Sequence, residues 1–165
     1  QLPALARAEP RRFEKARLEP LDLSQLVAGA VQHFVDEAGK KDIDIGFDLS
    51  PATVAGDSFL LRDLVDNLVD NALRYTPPGG RVTVSCGVAA ADSLLRVEDN
   101  GPGIPAHLRE QVFERFVRLD ERTVGSGLGL AIVRDIADLH GAEVSIGEAG
   151  AGGAVFTVAF PTPGV

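Results

Sequence analysis

The 165-residue chain has no Met and no Trp, one Cys, one Tyr and three His. A lone thiol, Cys86, cannot build a disulfide framework, and so few Cys and His leave no ligand cluster for a structural metal. No run is long or apolar enough to span a bilayer. Positive charge is scarce: 16 Lys and Arg stand against 24 Asp and Glu, for a net charge of −8 and a pI near 4.8. That balance argues against a broad nucleic-acid footprint, so an anionic ligand must be met by locally concentrated positive groups. A chain that opens at Gln1 without Met is expected to be a segment of a longer protein, with any membrane span upstream. What is present is a hydrophobic content of 45%, ample for the core of one domain, and 18 Gly that gather in a few places.

Residues 1–18 mix charged and apolar side chains around Pro3 and Pro10 and read as the tail of a preceding helix plus a linker. Asp22 and Gln25 have capping-box spacing, and Leu26, Val27, Ala30, Val31, Phe34 and Val35 recur at helical period, which predicts one helix ending near Gly39. Ile43, Ile45, Phe47 and Leu49 alternate with polar residues as in a strand with one wet face, and a short strand follows around Val54. Asp57 then caps a long helix whose apolar face is Leu60, Leu61, Leu64, Val65, Leu68, Val69 and Ala72, stopped by Thr76-Pro-Pro-Gly-Gly. Val82, Val84, Cys86 and Val88 alternate, and LLRVED reads as the returning strand. Residues 104–124 suggest a short helix and a charged loop, Ser126 to His140 a helix stopped by Gly141, and the C-terminal stretch a hairpin turning at Gly150 to Gly153. This order predicts an α/β fold: a two-layer sandwich with a mixed, mostly antiparallel sheet and helices on one face.

Asn67, Asn71 and Arg74 are spaced i, i+4, i+7 and stack on one face of the long helix, beside its leucine stripe. Magnesium takes hard oxygen ligands and commonly few of them from protein, so one Asn carbonyl can serve while the neighbouring Asn and Arg74 reach phosphate. No carboxylate stands one turn before Asn71, because that position is Asn67. Asp66 and Asp70 lie about 100° around the helix, and Asp63 a further turn away. Such a pocket binds a nucleoside triphosphate but lacks a base to activate water.

Asp99 ends a strand and is followed by Asn-Gly-Pro-Gly. A buried carboxylate only accepts, which suits the exocyclic amino group of adenine and rejects the carbonyl of guanine. Gly101 and Gly103 let the backbone approach a flat base. As pure turn chemistry the same residues would serve equally well. A dinucleotide fingerprint through Gly101, Gly103 and Ala106, with Asp120 as its acid, fails because Pro102 and Pro105 break the loop and no second strand precedes Asp120. A P-loop is also missing, since Gly39-Lys40 is followed by Lys41.

Gly125, Gly127 and Gly129 open a helix, where backbone N–H groups and the helix dipole favour phosphate. Between the motifs, Phe113 and Phe116 read as anchors and Arg115, Arg118 and Arg122 as phosphate contacts, Arg118 foremost. The segment has the character of a lid that orders on nucleotide.

Taken together these stretches resemble the catalytic and ATP-binding domain of bacterial sensor histidine kinases, with the Bergerat fold shared by gyrase-type ATPases and related chaperones. Asn67 to Tyr75 resembles the family's N box, Asp99 to Gly103 its G1 box, Phe113 to Phe116 its F box and Gly125 to Gly129 its G2 box. The resemblance implies ATP and Mg2+ as cofactors, with Asn71 holding the metal. Asn67, Arg74 and Tyr75 would contact phosphates or ribose and Asp99 would read adenine. Gly101, Gly103, Ile104, Arg118, Gly125, Gly127, Leu128 and Gly129 would line the rest. It further implies transfer of the γ-phosphoryl group to a histidine on a separate dimerisation domain and then to a response regulator. Residues 1–19 would be the remnant of the dimerisation helix and linker, and 20–165 the catalytic domain.

His33, His107 and His140 all lack the acidic residue and following proline that mark the family's phosphoacceptor, and His140 reads as a helix-end residue favoured by the dipole. Related ATPase motors and serine kinases carry a glutamate where Asn67 stands, which favours the histidine kinase. A monomer or weak dimer is expected for this segment, a homodimer for the full protein, with a cytoplasmic location beneath a membrane anchor and no nucleic-acid partner.

Overall fold

The computed structural model describes residues 17–114, 129–150 and 152–162. The described elements run β1 (Glu19–Asp22), α1 (Leu23–Ala28), α2 (Val31–Lys40), β2 (Asp44–Leu49), β3 (Thr53–Gly56), α3 (Ser58–Tyr75), β4 (Arg81–Ala89), β5 (Asp92–Asp99), α4 (Gly129–Leu139), β6 (Glu143–Glu148) and β7 (Ala154–Pro161). Single 3-10 turns lie at Ala106–Leu108 and Gln111–Phe113.

The main sheet has the order β2-β4-β5-β7-β6, with β2 parallel to β4 and every other pair antiparallel. A parallel neighbour needs a crossover, and β3 with α3 supplies it. The helices cover one face, as expected. Register aligns Phe47, Val84, Val97, Phe156 and Ile146 in one row across all five strands, and Leu49, Cys86, Leu95, Val158 and Val144 in the next. Against these rows α3 lays Leu60, Leu61, Leu64 and Leu68, each no more than 1% exposed. Truncating any one to Ala would cost about 2–5 kcal/mol.

Several local expectations are corrected. The single helix expected from Asp22 to Gly39 is two, α1 and α2, because the chain turns at Gly29 and Ala30, whose N–H groups bond Gln25 and Val27. Asp22 does cap α1, but its Oδ1 accepts from Ser24 N at 3.0 Å and from Ala52 N at 2.9 Å. It thereby fastens the helix start to the approach of β3, with no part for Gln25 in the cap bonds described. Glu19–Asp22, which carries no alternation to announce a strand, pairs antiparallel with β3 as a separate two-stranded sheet. Residues 106–113 form two 3-10 turns, not a short α-helix. Val88 continues the alternation of β4 but is 57% exposed, since the strand runs past the helical layer there.

Candidate functional site

The site grows from the end of β5. Alternation puts Leu95, Val97 and Asp99 on the helix-covered face, so a carboxylate stands where packing calls for an apolar residue, and Asp99 is only 7% exposed. Its Oδ1 accepts from Gly101 N at 2.9 Å and Ala154 N at 3.3 Å. Both backbone bonds fall on that oxygen, and Oδ2 has no partner among the described residues. Burial pushes the Asp99 carboxyl above the ordinary carboxylate range, while the two N–H groups pull the other way. The result is one oriented, solvent-poor acceptor, suited to a ligand amine.

Close backbone approach holds this arrangement. A Cβ on Gly101 would stand 2.8 Å from Tyr75 O and 3.3 Å from Asp99 Oδ1, so the end of α3 and the loop after β5 touch through a residue without a side chain. A Cβ on Gly153 would collide with the Asp99 carbonyl, which brings the β6–β7 turn into the site as well. Asn100 ties the same loop to β4, accepting Arg81 N on Oδ1 at 2.7 Å and giving its own N–H to Arg81 O at 3.2 Å.

Asn67, Asn71, Arg74 and Tyr75 are all half-buried along the second half of α3, at the border of the core. Asn67 donates Nδ2 to Asp63 O at 2.8 Å, which turns its Oδ1 towards α4: a Cβ on Gly129 would lie 3.1 Å from that oxygen. The Asn71 carboxamide has no described hydrogen-bond partner. Arg74 Nη2 meets Asp70 Oδ2 at 2.8 Å, and Arg62 Nε meets Asp66 Oδ1 at 2.9 Å. Such half-exposed i, i+4 pairs are worth only about 0.3–0.5 kcal/mol, so a phosphate can draw Arg74 away. The described residues contain no group of three or more His, Cys, Asp or Glu placed to hold a metal. One free carboxamide oxygen fits magnesium carried in by a phosphate ligand and keeping its waters, not a resident ion in a protein cage.

Beyond Asp99, Ile104 packs its side chain against the core, and its carbonyl accepts from Arg109 Nε at 3.0 Å. Gly103 adopts φ +77° against the β6–β7 turn. Phe113 is the anchor expected: buried, edge-on to Phe156 at 6.3 Å, with the Arg134 guanidinium 4.5 Å above its ring. Arg134 Nη2 also bonds both Glu110 oxygens, at 3.0 and 3.2 Å. Arg115, Phe116, Arg118, Arg122, Gly125, Gly127 and Leu128 lie outside the described residues, while Gly129 opens α4.

His140 requires a different account from the dipole. It is buried, its Nε2 accepts Asp57 N at 3.1 Å, and its Nδ1 lies 2.8 Å from Ile136 O. With Nε2 accepting, Nδ1 is the ring's donor to Ile136 O. It fastens the end of α4 to the start of α3.

Sequence reading missed Gly153 and Ala154, which appeared only as the last turn residue and the following strand of a hairpin. The donor is a backbone N–H that any residue but proline carries, so no side-chain pattern could reveal it.

A family model described as histidine kinase-, DNA gyrase B-, and HSP90-like ATPase matches residues 56–164. The chain is 37% identical over 146 residues to the sensor histidine kinase TmoS of Ectopseudomonas mendocina, covering 85% of this chain and 15% of that one. In structure it is similar to the mycobacterial sensor histidine kinase MprB, with a TM-score of 0.78, 33% identity, and coverage of 90% of this chain and 99% of that one. It is also similar to full-length ShkA in complex with AMPPNP, with a TM-score of 0.76, 31% identity, and coverage of 90% and 32%. The chain spans 15–28% of the length of the first curated relatives it matches.

Proposed function

Since the chain belongs to the histidine kinase-, DNA gyrase B- and HSP90-like ATPase family, we propose that it is the ATP-binding catalytic domain of a sensor histidine kinase, passing the γ-phosphoryl group of ATP to a histidine on a separate dimerisation domain. The observation that carries this reading is Asp99: a buried acceptor with Oδ1 spent on two backbone donors and Oδ2 left for the adenine amino group. An ionised carboxylate has no proton to offer guanine's carbonyl, so the pocket selects adenine.

In this assignment Asn67, Arg74 and Tyr75 serve the phosphates or ribose, and Gly101, Gly103 and Ile104 line the base. Arg118, Gly125, Gly127, Leu128 and Gly129 are assigned to the phosphates by the family's pattern. Asn71 would hold Mg2+, which neutralises phosphate charge when bound with ATP. The protein's own contribution is positioning and charge: Arg74 exchanges Asp70 for phosphate, and the N-terminal turn of α4 offers backbone N–H groups.

A general base for water is not needed. The attacking histidine nitrogen brings its own lone pair to the γ-phosphorus, the bond to the β–γ bridging oxygen breaks, and ADP departs. Asn67, at the position where water-activating relatives keep a carboxylate, is bonded back to its own helix, which supports slow hydrolysis. Residues 20–165 form this domain, and 1–19 the end of the dimerisation segment. A response regulator receives the phosphoryl group downstream, and the parent protein is anchored in a membrane. Among the described residues no helix is long and apolar enough to cross one.

The test is to incubate the protein with γ-labelled ATP, Mg2+ and the dimerisation domain of its own full-length protein. Acid-labile, base-stable label on that domain is expected. Absence of label, with ATP binding intact, would reject the transfer reaction.

A further inference from the structure

Among the described residues four large hydrophobic side chains are well exposed: Leu18 at 50%, Val35 at 41%, Phe59 at 84% and Val88 at 57%. Single exposed apolar residues are common and need no explanation. Two of these, however, sit beside one carboxylate. Asp57, the N-cap of α3, accepts Arg17 N on Oδ2 at 2.9 Å and Leu60 N on Oδ1 at 3.0 Å. Leu18 directly follows Arg17, and Phe59 directly precedes Leu60. Leu60 turns into the core at 1% exposure, whereas Phe59 beside it turns out. β1 continues the arrangement by pairing Glu19 with Gly56.

The same hydrogen bond fixes where the preceding chain enters the domain. Residues 1–16 lie outside the described residues, and they join the domain at Arg17, on the Asp57 carboxylate. Phe13 stands four residues before Arg17, and four residues span up to about 13 Å, enough to reach a side chain on the first turn of α3. Charge favours the contact as well. Residues 1–16 carry Arg7, Arg11, Arg12 and Lys15 against Glu9 and Glu14, while the chain as a whole has a net charge of −8. A basic segment thus enters an acidic domain.

We propose that Phe59 and Leu18 form a docking surface for the segment that precedes the domain, with Phe13 as its anchor. The Asp57–Arg17 bond holds the two partners together, so the contact closes a short loop and its ordering cost is small. Docking fixes the direction in which the segment leaves, and so limits how the domain can turn relative to what lies upstream. The inference is independent of the nucleotide assignment, since it involves neither Asp99 nor the amide face.

Trypsin cleavage after Lys15 is timed in wild type, Phe59→Ser, Phe13→Ser and the double variant. Each rate is divided by that of a free peptide of residues 1–18 with the same residue at position 13. Cleavage follows the undocked population. Each single variant is therefore expected to be cut about 3- to 10-fold faster than wild type, for one buried aromatic contact less the cost of ordering the segment. The double variant should be cut no faster than either single one, as a coupled pair requires. Phe59→Trp adds a spectroscopic reading, because the chain has no Trp of its own. Its emission should lie further to the blue than that of Phe59→Trp combined with Phe13→Ser. Equal cleavage of all four proteins, additive effects of the two changes, or Trp emission indifferent to Phe13 overturns the inference. So does protection that grows with protein concentration, which would give Phe59 to a second copy of the chain.

Discussion

His140 Nε2 accepts the backbone N–H of Asp57 at 3.1 Å, joining the end of α4 to the start of α3. The two helices pack against each other, and their opposite ends, Tyr75 of α3 and Gly129 of α4, border the proposed nucleotide site. The fastening lies at the far end of the pair. His140→Leu should leave Asp57 N–H unpaired and cost about 1–3 kcal/mol in urea unfolding. ADP affinity of the folded protein should stay within about twofold, because distant sites act independently. A large affinity change at unchanged stability would show that the fastening acts on the site instead.

On the proposed assignment, Asp99→Asn replaces with an amide the carboxylate that would meet the adenine amino group, and ADP affinity should fall about 10- to 100-fold. The same change should raise the stability of the nucleotide-free protein. Burial raises the Asp99 carboxyl above its ordinary value, so its favourable contribution is complete below about pH 4 and is lost as pH rises through the raised value. The stability advantage of Asp99→Asn should therefore be largest at neutral pH and shrink on acidification. Thermal unfolding of both proteins between pH 4 and 8 checks the trend, and an advantage that grows towards acid would contradict it.

Asn71→Ala removes a carboxamide that has no hydrogen-bond partner among the described residues. ATP affinity in Mg2+ should drop about tenfold, the worth of one lost polar contact to a charged group. Affinity in EDTA should hardly move. Titration under both conditions distinguishes this from general damage, which would lower the two together.

Asp22→Ala loses the cap of α1 and the bond to Ala52 N, and should cost about 1–2 kcal/mol at neutral pH. Those bonds, led by Ala52, hold the Asp22 carboxyl below its usual range. Its contribution is thus present above about pH 4 and fades as pH falls through the depressed value. Denaturation curves of wild type and variant should converge at the acid end. A constant gap would assign the loss to packing alone.

The long helix, the β4–β5 pair, the C-terminal hairpin and the amide face were legible in the sequence because each follows from local periodicity, which side-chain burial enforces residue by residue. So was the acid of the site, because Asp99 ends a strand and runs into Asn-Gly-Pro-Gly. The chain alone thus determined the fold class and the main elements, but neither β1 nor the break between α1 and α2. Tertiary structure decided what each group is free to do. Only packing could spend Asp99 Oδ1 on Ala154, 55 residues away, turn the Asn67 oxygen towards Gly129, seat His140 Nε2 on the Asp57 N–H and leave the Thr76 hydroxyl without a partner among the described residues. Those outcomes depend on backbone groups and close approaches between distant segments, which every residue can supply and no local pattern encodes.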